Sequence, residues 1–488
     1  MAETKTNIPC NSRNEKVEMA SGVVGAVRSS DEGSNDAGAK GPHLRNGGRL
    51  AMDEVMTSPW MVKTPNKVQK LQSILYRKAK SDPRWRAWSL YGDLCRQDVL
   101  EEALEAVVSN NGAAGEDGMR AEWVKENKEQ VLLTLIQELK TKEYKPGPVK
   151  RVWIAKADGK LRPLGVPNVR DRIVQKAILI LIEPIFEADF DEASFAYRKE
   201  KNAQQAVELI RTHLRAGMTE VIDADLSGYF DTIEHAALLK LVAKRVSDGE
   251  ILRLVKLFLK APIVEIKAGK RKYDKNDKGT PQGGVLSPLL ANLFLNSLDH
   301  GVNDNPELGA KLVRFADDFV ILCKPRRRAG VLERLKKYLL KKKLVLNEKK
   351  TRLIDFNKQE LNFLSFKMTW RRTRGSSRKY VHTEPSVESQ NELRETLRGL
   401  MNHWTEHVSC TEMVRRVNQV TRGWAQYFYH WHCSKVFGYQ QYWLEKRLRF
   451  WLWHKYNRKA GFLEFFNRDR LIGQYNLWPL PAKSPWSR

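Results

Sequence analysis

The stretch LVRFADDFVIL, Leu312 to Leu322, constrains the fold more than any other. Two runs of β-branched and aromatic residues flank Asp317 and Asp318, a pattern that reads as a hairpin with both charges at its tip. Adjacent carboxylates repel and raise one another's pKa, so the pair is costly inside a strand pattern unless something compensates it. Taken alone, an Asp-Asp pair marks a turn or a helix cap more often than a site.

A second acidic position changes the balance. In TEVIDADLSGYF, Asp225 closes an apolar strand pattern, and Asp223 lies two residues earlier on the same strand face. If this strand neighbours the hairpin, Asp225 and Asp317 would jointly hold two Mg²⁺ ions through hard oxygen ligands, as phosphoryl transfer to a nucleotide demands. Asp223 reads equally as a ligand, a supporting group or a solvated strand residue.

Composition narrows the partners. The 488-residue chain carries a formal charge of +27, a field that favours nucleic acid or an anionic membrane. No stretch approaches the ~20 apolar residues of a spanning helix, and the N-terminus lacks a signal-like apolar segment. Five scattered cysteines form no close pair, which suggests neither a disulfide framework nor a zinc ribbon. A reducing, cytoplasmic setting is expected. The oligomeric state is left open.

Residues 1–61 are polar, rich in Gly, Ser and Asn, and are expected to form a disordered leader. Helical periodicity begins at KVQKLQSILY. The runs VKRVWIA and LRPLGVP flank an Asp-Gly turn and predict a hairpin. Helices and strands then alternate through LNFLSFKM, as in an α+β domain. A strand pair is expected between Lys260 and Lys278, and RRTRGSSRK reads as a linker, 371–384. From Pro385 onward only helical periodicity remains, and nine of the fourteen Trp lie from Trp370 on, which predicts a separate basic, all-helical domain, 385–488.

In order and spacing, IAKADGKLRPLGVP, DADLSGYFDTIEH, GTPQGGVLSPLLANLFLN, RFADDFVIL, LNEKKTRLIDF and LNFLSF resemble the successive motifs of reverse transcriptases, above all the proteins encoded by bacterial group II introns. The likeness spans Lys67 to Phe366. It implies a right-hand polymerase: an N-terminal extension and fingers over 62–215, a palm with an antiparallel sheet over 216–370, and a helical thumb merging into a maturase domain. By the same resemblance Asp225 and Asp317 are the metal ligands of a two-Mg²⁺ site, and Asp318 supports them. Phe230 crowds the 2′-OH of an incoming nucleotide and favours dNTPs. Lys156 and Arg162 hold the triphosphate, with Lys160 able to share that duty. Gln282 lies near the nascent base pair, and Lys350, or Lys349 one register away, protonates the leaving pyrophosphate. Two departures stand out. Phe315 replaces the family's usual tyrosine, keeping the ring, and SFAYRKEKNAQQAV is a loose version of its motif, which touches template contacts rather than chemistry.

The string VNQVTRGWAQYF resembles the maturase motif of the same proteins. Val417, Val420 and Trp424 read as core, whereas RNA binding asks for exposed aromatics beside cations, here Arg415, Arg416, Arg422, Lys446 and Arg447. The resemblance implies an RNA template, a DNA primer, dNTPs and parent intron RNA as partners, and two activities: RNA-directed DNA synthesis with target-primed retromobility, and assistance to splicing. No paired cysteines follow Cys433, so the cysteine- and histidine-rich endonuclease segment of some relatives is not expected. Three other readings stay open: a splicing-only RNA-binding protein, a domesticated reverse transcriptase in DNA repair or phage defence, and an RNA-templated RNA polymerase, which Phe230 disfavours.

Overall fold

The computed structural model describes residues 64–155, 161–267, 270–456 and 466–484. The leader expected over 1–61 lies outside them, as do Lys156 and Lys160. An N-terminal helical layer opens with α1 (Lys67–Ser81), started by an Asn66/Gln69 capping box, and continues through α2 (Gln97–Ser109) and α3 (Lys128–Lys140). After the antiparallel hairpin β1 (Val149–Ala155) and β2 (Leu161–Val166) comes α4 (Val169–Glu187). Helix α4 is apolar almost all round, with Ile173, Ile178, Leu181 and Ile185 fully buried. It is therefore the central post against which α1 and α2 pack.

Next follow α5 (Ala203–Arg215), β3 (Glu220–Ala224), α6 (His235–Val242), α7 (Gly249–Lys260), β4 (Ile263–Lys267) and β5 (Lys270–Asp274). Then come α8 (Ser287–Asn303), β6 (Ala310–Phe315), β7 (Asp318–Cys323), α9 (Arg328–Lys341) and β8 (Arg352–Asp355). The strand pair β4–β5 falls inside the 216–370 span yet joins the first hairpin in a sheet ordered β2-β1-β4-β5, through parallel pairing of β1 with β4. Local pattern marks a strand but does not choose a partner so far away in sequence.

The central sheet has the order β6-β7-β3-β8. Its two-residue period puts Ile222, Leu312 and Ile321 into a core shared with α8 and α9. Val221, Val313, Val320 and Leu322 face a second core shared with α5 and the C-terminal region.

Residues 371–384, expected as a linker, are instead folded into a sheet. β9 (Leu361–Phe363), β10 (Phe366–Arg372) and β11 (Lys379–Pro385) pair antiparallel, and only the turn Thr373–Arg378 is irregular. The basic tip RRTRGSSRK masks an alternation in which Phe366, Met368, Val381 and Thr383 are buried. Beyond it lie only helices among the described residues: α10 (Val387–Leu400), α11 (Cys410–Phe428), α12 (Ser434–Lys455) and α13 (Arg468–Gly473), with a single 3-10 turn at His403–Thr405.

The sheet and the helical region share a core. The Phe366 ring sits 5.5 Å from Tyr427, 4.9 Å from Phe428 and 5.2 Å from Trp431, centroid to centroid. Phe428, the last residue of α11, and Trp431, just past it, are buried, so they are core side chains rather than stacking platforms. Truncation of Phe366 to Ala is expected to cost about 3–5 kcal/mol in urea unfolding, because three aromatic rings lose their common partner; a change below about 1 kcal/mol would contradict this packing.

Candidate active site

The site is built at one end of the central sheet. β3 and β7 run antiparallel with Ala224 opposite Phe319, and the next step of that ladder sets Asp225 opposite Asp318. Asp317 lies between β6 and β7, in a turn whose first residue, Ala316, has φ +60°. β8 pairs with the other edge of β3, Asp223 opposite Arg352, which brings the preceding Lys350 to the same end. All three aspartates singled out in the sequence therefore meet, together with Lys350.

Their electrostatics fit a cation site. Burial pushes the Asp317 carboxyl above its ordinary range, and Asp225 adds to the push. Asp318 is raised to about 6, first by desolvation in the cleft floor and then by Asp317 and Asp225. It keeps solvent access, so its desolvation is partial. Lys350 Nζ stands 3.1 Å from Asp225 Oδ2, and that hydrogen bond raises the lysine. Asn347 Nδ2 donates to the same oxygen at 2.9 Å, and the Asn347 amide donates to the Asp225 carbonyl. Lys350 and Arg162, the cations that act on Asp317, still leave three carboxylates one positive charge short. A set of hard oxygen donors with surplus negative charge suits Mg²⁺. Asp223 is committed elsewhere, to Arg352 at 2.8 Å, which favours a supporting role over a ligand role.

A second acidic group, Asp191, His300 and Asp304, also has ligand-like spacing. Both ring nitrogens of His300 are already engaged, Nδ1 with Asp304 at 2.8 Å and Nε2 with the Asp189 carbonyl at 2.9 Å. An imidazole in that position does not suit a hard cation.

Above the carboxylates, two further expected residues touch. Arg162 Nε donates to Gln282 Oε1 at 2.7 Å, and Gln282 Nε2 lies 3.5 Å from both carboxylate oxygens of Asp231. The Gly165 amide donates to the Gln282 carbonyl at 2.6 Å, so the GTPQGG loop is docked on β2. The same loop fixes Phe230. The Thr280 amide donates to the Phe230 carbonyl and the Gly279 amide to the Ile233 carbonyl, each at 2.7 Å. Gly279 has φ +84°, and a Cβ there would lie 2.8 Å from the Phe230 oxygen. The half-buried Phe230 ring meets Tyr229 edge-on at 5.4 Å.

Sequence reasoning did not find Asn347, Arg352 or Asp231. LNEKKTR and FDT carry them, but only the folded register shows their partners.

The C-terminal cations are not gathered into one site. Arg415 and Arg416 both pair with Glu412 at 2.7 Å on the exposed face of α11, and Arg422 lies over Trp478 at 5.6 Å. Arg447 donates to the Met401 carbonyl at 2.6 Å, a contact that ties α12 to the end of α10. Lys446 is exposed on α12 in line with Tyr439, Tyr442 and Phe450, all open to solvent.

A sheet end with three carboxylates and a lysine, with Arg162 acting on Asp317, fits a nucleotidyl polymerase. Comparison with known proteins agrees. Residues 154–368 match the family "Reverse transcriptase (RNA-dependent DNA polymerase)", and residues 390–468 match "Group II intron, maturase-specific domain". Protein YkfC of Escherichia coli K12 is 32% identical over 369 residues, covering 66% of this chain and 94% of that protein. Group II intron-encoded protein LtrA of Lactococcus lactis is 36% identical over 211 residues, 43% of this chain and 34% of LtrA. Nuclear intron maturase 2 of Arabidopsis thaliana is 30% identical over 166 residues, 27% of this chain and 22% of that protein. The chain thus spans nearly all of one relative and a third or less of the other two. It belongs to the group II intron-encoded reverse transcriptase and maturase family.

Replacing Gly279 with Ala tests the loop's role. The added methyl and the positive φ are expected to displace the Phe230 turn at a cost of about 1–3 kcal/mol, lowering primer extension while the protein stays folded by circular dichroism. Unchanged extension would show that the loop's hold on the Phe230 turn does not matter for synthesis.

Proposed function

We propose that the chain copies an RNA template from a DNA primer using dNTPs, and that it also binds its parent intron RNA to assist splicing and target-primed mobility. The observation that carries the reading is the pairing of β3 with β7 and β8, which delivers Asp225, Asp317 and Asp318, and from the β8 side Lys350, to one sheet end. In right-hand terms the β6-β7-β3-β8 sheet is the palm, the β2-β1-β4-β5 sheet belongs to the fingers, and the helices after Pro385 form the thumb and maturase region.

Asp225 and Asp317 would hold two Mg²⁺ ions, with Asp318 beside them. When bound, those ions favour the primer 3′-oxyanion and offset charge on the leaving pyrophosphate. Arg162, already hydrogen-bonded to Gln282, pairs with the triphosphate from the fingers side. Gln282 borders the new base pair, Phe230 closes the floor under the sugar, and Lys350 keeps a proton where pyrophosphate departs. Lys156 would add a second triphosphate contact. For RNA, the exposed α12 line of Tyr439, Tyr442, Lys446 and Phe450 offers rings for stacking and a cation for phosphate. Arg415 and Arg416 can exchange their exposed partner Glu412 for phosphate at little cost.

Primer extension on an RNA template with dNTPs and Mg²⁺ tests the reading directly. Asp317→Ala is expected to reduce extension to background, and retained extension would refute the site. Phe230→Ala is expected to raise rNTP incorporation relative to dNTP; an unchanged ratio would remove the ring from the sugar pocket. RNA affinity is expected to fall steeply with salt, with a log–log slope of several units. A flat response would mean that the phosphates are not the main contact.

A further inference from the structure

Arg314, two residues before the strained turn, is a charged side chain with no exposure, and its partner Asp299 on α8 is equally buried. Nε donates to Asp299 Oδ1 at 2.8 Å and to Oδ2 at 3.1 Å, while Nη2 donates to Oδ2 at 2.6 Å and to Ser194 Oγ at 2.7 Å. Nη1 donates to Asn292 Oδ1 at 2.8 Å and to the Ala316 carbonyl at 3.0 Å. The backbone is tied as well: the Arg314 amide donates to the Ala193 carbonyl at 2.9 Å, and the Phe195 amide to the Arg314 carbonyl at 3.0 Å.

Stability does not account for this arrangement. Removing two charges from water costs several kcal/mol per ion, and an apolar pair of similar volume is often as stable or more so. What an apolar pair cannot do is hold a carbonyl. The guanidinium is a planar fork whose donors point in fixed directions, so one side chain spans α8, the Ser194 loop and the catalytic turn at once. The carbonyl it holds belongs to Ala316, the left-handed residue, and the peptide plane so fixed is the one that leads into Asp317.

We propose that Arg314 is a positioning residue: with Asp299 as its anchor it locks the Ala316–Asp317 peptide and so aims the Asp317 carboxylate at the metal position. The inference rests on reading Asp317 as a metal ligand. It also ties the catalytic turn to the Ala193–Phe195 loop, because the same guanidinium and the same backbone hold both.

The test uses the full chain carrying Arg314→Met together with Asp299→Leu, which keeps volume and removes both charges, and separately Arg314→Lys, which keeps the charge but lacks the fork. Amide hydrogen exchange of residues 315–318 is measured without metal, and the Mg²⁺ concentration for half-maximal primer extension is measured beside the KM for dNTP. Both variants are expected to retain wild-type circular dichroism, to exchange the turn amides at least about tenfold faster, and to need about 10–100-fold more Mg²⁺ with KM for dNTP little changed. A folded variant with wild-type exchange in the turn and a wild-type Mg²⁺ requirement overturns the proposal. If the double variant fails to fold, Arg314→Lys decides alone. Faster exchange with an unchanged Mg²⁺ requirement also overturns it, and inactivity of Asp317→Ala in the same assay then shows that the ligand reading survives.

Discussion

Like charge at one sheet end is the constraint on which the rest depends. The β3–β7 register brings Asp225 level with Asp318 and beside Asp317, in a cleft floor where water is partly excluded. Carboxylates so placed repel, and at Asp317 and Asp318 that repulsion adds to desolvation in raising the pKa. The surrounding protein supplies too little positive charge to cancel it, Lys350 and Arg162 being the cations that act on the cluster. The surplus is negative charge that divalent cations would offset. The folding cost and the chemical use of the site are the same electrostatic fact.

Two devices keep this unfavourable cluster rigid. Beneath it, the sheet is packed on both faces, with Ile222 and Ile321 on one side and Val221 and Val320 on the other, so the strand ends cannot drift apart. Above it, the GTPQGG loop docks by backbone hydrogen bonds on both the Phe230 turn and β2. The glycines in that loop are there for approach: at Gly283, φ +115°, a Cβ would sit 2.4 Å from the Gly165 carbonyl. Arg162, Gln282 and Phe230 come from three separate segments, and this one loop gathers them.

Much of the site was legible in the sequence because its elements carry local signals. LVRFADDFVIL announces a hairpin with charges at the tip, and β6 and β7 form it. VKRVWIA and LRPLGVP pair as read. What stayed hidden is non-local. Nothing in residues 263–274 says that they pair with β1, and nothing in LNEKKT says that Asn347 reaches Asp225. The 371–384 stretch misled because its charges sit at a hairpin tip while its apolar residues alternate on either side. Likewise, Phe428 and Trp431 could be placed in the core only once β10 was seen to present Phe366 to them. Arg314 was visible in the motif, but its role depends on α8 and Ser194 being brought around it.

The central claim is that the three carboxylates are mutually destabilising until divalent cations bind. Thermal unfolding of the metal-free protein, titrated with Mg²⁺ at constant ionic strength and without nucleic acid, measures this directly. Binding to the folded state alone raises the midpoint progressively with Mg²⁺ concentration, and this rise should disappear when Asp225 and Asp317 are both replaced by Asn. A midpoint indifferent to Mg²⁺ in the unmodified chain, or one that rises equally in the doubly substituted chain, would contradict the account.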